Sequence, residues 1–204
     1  MIAIVDYGVG NLFSLKSSFS FIGEDVVVTG DAGIIRKSDK IILPGVGAFE
    51  DAAKKLKESG LGAVVIEEAK NGKPLLGICL GMQLLFEKSY EFGTHEGLGL
   101  IKGEIIPIKN TTGNLKIPHM GWNNLIFPKN RPVCPLFKYI NEGDSVYFVH
   151  SYYGANCDES VAALAEYGEL LTAAVWDGNV YGTQFHPEKS GKVGLSILKA
   201  FCEL

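Results

Sequence analysis

The chain has 204 residues, 47% of them hydrophobic, with 19 basic and 23 acidic side chains and a formal net charge of −4. That is the length of one domain with enough apolar residues for a core, which argues against disorder. No run clusters Lys and Arg with aromatics, so nucleic acid is a poor partner, and no apolar run approaches the length that crosses a bilayer.

Met1–Asp6 carries no basic leader and no cleavage site, so Ile2–Val5 reads as a first buried strand rather than a signal peptide. Asn11 is placed to cap a helix whose stripe is Leu12, Leu15, Phe19 and Ile22, and Gly23 ends it. Val26–Thr29, rich in β-branched residues, is expected to form a second strand, and Lys40–Leu43 a third, closed by Pro44–Gly47. Helices follow at Glu50–Glu58 and Leu61–Lys70, the latter stopped by Gly72. Pro74–Ile78 reads as a fourth strand and Leu80–Phe86 as the helix after Cys79.

The second half changes character. Glu104–Ile108, Ser145–Val149, Thr172–Trp176 and Val180–Phe185 look like strands, with Asp177-Gly178 a hairpin turn, and Gly191–Phe201 closes the chain as a helix. Strands alternating with helices predict an α/β fold, a mostly parallel central sheet with helices on both faces. Neither repeats nor a linker divide the chain, so residues 1–204 are expected to form a single domain. Loops after the first strand (Asp6–Gly10), the third (Pro44–Gly47) and the fourth (Cys79) share the edge where such sheets bind ligands, and the His186 segment is expected to join them.

The cysteines Cys79, Cys134, Cys157 and Cys202 show no CxxC spacing and read as reduced, cytoplasmic thiols. Asn110-Thr111-Thr112 matches a glycosylation acceptor, read as an accident of composition in that compartment. One cysteine stands apart. Cys79 sits in Gly77-Ile78-Cys79-Leu80-Gly81, where a buried strand turns into a helix whose N-terminus favours an anion. Its flanking glycines permit the tight turn and close approach of a substrate.

His186-Pro187-Glu188 supplies the complement. In an extended segment the imidazole and carboxylate project to one side, as base and orienter of a nucleophilic triad. An oxyanion formed at Cys79 needs donors, for which the Leu80 N–H and that of Gly47 or Val46 are placed. Pro44–Gly47 alone could equally be a tight turn or a phosphate loop, although it lacks a full phosphate-binding pattern. His95, His119 and His150 have no metal-ligand spacing, and neither metal nor cofactor is expected.

Gly77–Gln83 followed by His186-Pro187-Glu188 resembles the class I glutamine amidotransferases, of flavodoxin-like architecture. Asp6–Leu12, Leu43–Phe49, Pro118–Asn123 and His186–Ser190 are similar to one branch of that family, glutaminase subunits that feed a (β/α)8-barrel cyclase. The resemblance implies thiolate attack by Cys79 on the glutamine amide, release of ammonia and hydrolysis of a glutamyl thioester. It implies that Gly45, Gln83, Glu91 and the His150-Ser151-Tyr152 segment hold the substrate, and that Asn11, Trp122, Tyr147 and Lys189 lie near the barrel partner. Trp122 is by residue type either an exposed anchor or a core residue.

Other class I amidotransferases, such as those feeding pyridoxal phosphate or anthranilate synthesis, are disfavoured by Met120–Asn123 and Lys189. In an α/β hydrolase the acid precedes the His, whereas Glu188 follows His186. A flavodoxin-like binding module leaves Cys79, His186 and Glu188 without a role.

Overall fold

A computed structural model describes residues 1–108 and 115–204. The Asn110–Thr112 pattern lies outside the described residues. The first half runs β1 (Ile2–Val5), α1 (Leu12–Phe21), β2 (Val26–Thr29), α2 (Ala32–Lys37), β3 (Lys40–Leu43), α3 (Phe49–Glu58), α4 (Leu61–Lys70), β4 (Leu75–Ile78) and α5 (Leu80–Leu84). Then come β5 (Phe86–Ser89), β6 (His95–Glu96), β7 (Ile101–Pro107), β8 (His119–Asn124), β9 (Ser145–His150), β10 (Tyr152–Ala155), β11 (Val161–Tyr167), β12 (Glu169–Asp177), β13 (Val180–Thr183) and α6 (Gly191–Cys202).

The central sheet has seven strands in the order β11-β12-β13-β4-β3-β1-β2. From β2 to β13 every pairing is parallel, while β12 and β11 add on antiparallel. The period of two in the strands assigns the faces. Ile4, Ile42 and Leu76 pack with Leu15 and Phe19 of α1 and Ile197, Leu198 and Phe201 of α6. Ala3, Val5, Ile41, Leu43 and Leu75 pack with Ile35, Phe49, Leu56 and Val65 of α2, α3 and α4. The expected α/β architecture, a mostly parallel sheet with helices on both faces, is the one observed.

Local chemistry explains the element ends. Asn11 Oδ1 accepts from Ser14 N at 3.4 Å, which caps α1, and Gly23 leaves that helix at φ +81°. The hairpin at Asp177 turns through Gly178 at φ +57° and returns the chain to β13.

Three expectations need correction. The helix after Cys79 ends at Leu84, because Phe86–Ser89 departs to pair with β7 and β6 in a second sheet of order β10-β7-β5-β6. α2 and strands β5, β6, β8, β10 and β11 did not stand out in the sequence. β8 carries Met120 and Trp122 outward, so it lacks the apolar alternation of a half-buried strand. Finally, β13 ends at Thr183 rather than Phe185, and the chain bends into the His186 turn.

Candidate active site

Cys79 forms the corner between β4 and α5 at φ +54°, ψ −112°, a strained conformation for a residue with a side chain. Hydrogen bonds hold the corner: Cys79 N donates to Thr183 O at 2.7 Å, and Cys79 O accepts from Gln83 N at 3.1 Å. The flanking glycines permit the expected tight turn and let neighbouring backbone approach closely. A Cβ on Gly81 would lie 1.9 Å from Leu43 O, one on Gly77 2.7 Å from Gly81 O, and one on Gly45 2.7 Å from Gly81 N. The close approach these glycines allow is therefore by neighbouring backbone, which wedges α5 against the ends of β3 and β4. Cys79 is only 8% exposed, on the floor of a cleft of about 360 Å³.

His186 faces that cleft with Glu188 behind it, Nδ1 to Oε1 2.8 Å. The route to this contact differs from the extended segment read from sequence. Pro187–Lys189 is a 3-10 turn, begun by Pro187 and closed by Ser190 N donating to Pro187 O. Ser190 braces it. Its hydroxyl donates to His186 O at 2.6 Å and accepts from Tyr147 N at 2.9 Å, while His186 N donates to Tyr147 O at 3.0 Å.

Burial pulls the His186 imidazole down, but hydrogen bonding and charge from Cys79 and Glu188 outweigh it and raise the pKa to about 9. Glu188 Oε2 is buried with no partner among the described residues, so the carboxylate depends on the imidazolium for compensation. The ring is thus held protonated at neutral pH between a sulfur and a carboxylate, suited to protonating a leaving amine.

The rest of the cleft is lined by Val46, Gly47, Leu80, Gln83, Glu91, Pro118, Val149, His150, Ser151, Tyr152 and Lys189. Leu80 begins α5, so its N–H has no partner within that helix. Gly47 stands at φ +94° beside a 42% exposed Val46.

A family model described as glutamine amidotransferase class-I matches residues 3–203. The chain belongs to the class I glutamine amidotransferases. Two relatives bear the name imidazole glycerol phosphate synthase subunit HisH. The one from Lactococcus lactis subsp. lactis (strain IL1403) is 50% identical over 99% of this chain and 98% of its own length. The one from Syntrophotalea carbinolica is 47% identical over the whole of both chains. A crystal structure of a glutamine amidotransferase superposes with a TM-score of 0.76 at 19% identity, covering 100% of this chain and 98% of the other, which speaks for the fold.

In this amidotransferase the cleft gathers most of the residues singled out from sequence. The β1 loop is the exception. Gly8–Gly10 lines a separate depression behind the Val46-Gly47 loop, and Tyr7 supports that loop by donating its hydroxyl to Pro44 O at 2.7 Å. Glu91 Oε2 accepts from Phe49 N and so caps α3, whose own N-cap residue, Ala48, has no side-chain acceptor. The His150 ring lines the cleft with both nitrogens engaged, Nδ1 with Tyr152 O at 2.8 Å and Nε2 with His119 Nδ1 at 2.8 Å.

Trp122 (59% exposed) meets Tyr147 edge-on across the β8–β9 pair at 6.1 Å, and the exposed Lys189 lines the cleft. Among the described residues no helix is long and apolar enough to cross a membrane. Gln184 was missed in the sequence. Its one signal was a polar residue between Thr183 and Phe185, at a position that proves wholly buried.

Proposed function

We propose that this chain hydrolyses glutamine to glutamate and ammonia through a cysteinyl thioester, and passes the ammonia to a cyclase subunit that makes imidazole glycerol phosphate in histidine biosynthesis. The observation that carries the reading is Cys79 on its strained corner facing an imidazole fixed at 2.8 Å by Glu188.

The Cys79 thiolate attacks the side-chain amide carbon. Negative charge on the former carbonyl oxygen is met by the Leu80 N–H and a donor from Val46 or Gly47. His186 gives its proton to the nitrogen, ammonia leaves, and the same ring takes a proton from the water that opens the thioester. Gly45 shapes the turn beside the nucleophile. Gln83, Glu91 and the His150–Tyr152 segment hold the amino-acid end of the substrate, with the free Glu91 oxygen meeting its ammonium.

The partner is a (β/α)8 barrel, docking over Asn11, Trp122, Tyr147 and Lys189. Such docking keeps ammonia from water. The chain acts as one amidotransferase domain in a heterodimer, in the cytoplasm, where its unbridged cysteines stay reduced.

The test is glutamate release by this chain alone, with the barrel subunit, and with the barrel and its ligand. Release that rises with each addition and vanishes in Cys79→Ala supports the proposal. Release that survives that substitution overturns the mechanism, and equal rates with and without the barrel overturn the reading that glutamine hydrolysis is coupled to the partner.

A further inference from the structure

One backbone oxygen orders a chain of buried polar groups that the triad does not use. The Tyr152 carbonyl accepts from Gln83 Nε2 at 3.1 Å and from His150 Nδ1 at 2.8 Å. A carbonyl can only accept, so the Gln83 amide must turn its NH2 toward it. The second hydrogen of that group goes to Gln184 Oε1 at 3.0 Å. Gln184 must then turn its own NH2 the other way, and its Nε2 lies 3.8 Å from Cys79 Sγ. The reverse orientation would set NH2 against NH2 at Gln83 and an oxygen against the sulfur. Gln184 is 0% exposed, and a carboxamide buried so deeply is costly unless both ends are paired.

We propose that Gln184 is a further catalytic residue, donating its Nε2–H to the Cys79 sulfur and stabilising the thiolate. The inference rests on Cys79 being the nucleophile. The thiolate exists twice in the cycle: before attack, and when the thioester collapses. In the second step water adds its oxygen to the acyl carbon and its proton goes to His186. The carbon–sulfur bond then breaks, with the electron pair returning to sulfur beside the Gln184 donor. His186 must also serve the leaving amine and the Leu80 N–H the oxyanion, whereas Gln184 approaches only the sulfur, from the β13 side.

The experiment measures iodoacetamide alkylation of Cys79 against pH, with labelled sites assigned by peptide mass. Glutamate release with the barrel subunit and the melting temperature are read alongside. The titratable groups facing the sulfur are His186 with Glu188 behind it; Glu91, His150, Tyr152 and Lys189 line the same cleft. Gln184→Glu keeps an oxygen for Gln83 and removes the donor, and Gln184→Met keeps the bulk and removes both polar ends.

In each variant that retains a cooperative melt, the alkylation midpoint is expected to move up by about one pH unit. Glutamate release should fall about tenfold or more, the size of one hydrogen bond to a charged group. A midpoint at the wild-type pH, with only a lower melting temperature, overturns the proposal and leaves Gln184 a packing residue. Alkylation needs no glutamine. A failure of the glutaminase reading would appear separately, as a wild-type complex that releases no glutamate.

Discussion

Glu188 acts through one short contact, and its effect is legible in a pH profile. The imidazolium of His186 is retained well above its ordinary value of 6.5 and is lost as pH rises through about 9. The alkaline limb of kcat/KM for glutamate release is therefore expected near pH 9. Glu188→Gln removes the compensating charge and should move that limb to lower pH, read in a pH–rate series on the complex. Glu91 caps α3 through one oxygen and is proposed to meet the substrate ammonium with the other. Glu91→Ala is expected to lose the α3 cap, about 1 kcal/mol by urea unfolding, and to raise KM for glutamine. Glu91→Gln keeps an oxygen for Phe49 N–H, so it should raise KM with a smaller loss of stability.

The β8–β9 pair is ordered by a directed chain of hydrogen bonds. Asn123 Nδ2 donates to His119 Nε2 at 3.2 Å, His119 Nδ1 to His150 Nε2 at 2.8 Å, and His150 Nδ1 to Tyr152 O at 2.8 Å. Every bond is made with both rings neutral, and a proton added to either ring sets donor against donor. Burial holds His119 at about 4 and His150 at about 3. Unfolded, both would take protons below pH 6.5, so stability from this pair is complete above that value and drains as pH falls. As pH falls from 6.5 to 5 the His186 contribution levels off, since that ring is charged throughout in the fold and becomes fully charged in the unfolded chain. The melting temperature should fall across this window, and His119→Phe should flatten the slope in a scanning series. A slope unchanged in that variant would assign the acid sensitivity elsewhere.

Viewed whole, the molecule places its chemistry at one end of the sheet and leaves large apolar side chains exposed on β8. Met120 and Trp122 are 61% and 59% exposed on β8, whose partner strand β9 contributes Val149 and His150 to the cleft that holds Cys79. Half-exposed aromatics beside polar neighbours are the residues that carry binding energy in protein interfaces. Trp122→Ala is expected to weaken barrel binding by about 2 kcal/mol or more, roughly thirtyfold in Kd by calorimetry, with the melting temperature of the free subunit nearly unchanged. A large loss of free-subunit stability would instead make Trp122 a packing residue.

The amino-acid order by itself marked the parallel strands, the helices that cover them apart from α2, and Cys79, His186 and Glu188 as an expected triad. Each of these is written within a few residues: apolar runs of strand length, helical spacing, a glycine-framed cysteine, a His two places before a Glu. It left α2, β5, β6, β8, β10 and β11 unmarked; in β8 the outward Met120 and Trp122 hide the alternation. It also left Gln184 and Ser190 without a role. Their orientations depend on partners 101 and 105 residues away for Gln184, and 43 for Ser190. A hydrogen bond fixes which way an amide or hydroxyl points only once the fold has brought its acceptor near. The Tyr152 carbonyl, 69 residues from Gln83, is the clearest case.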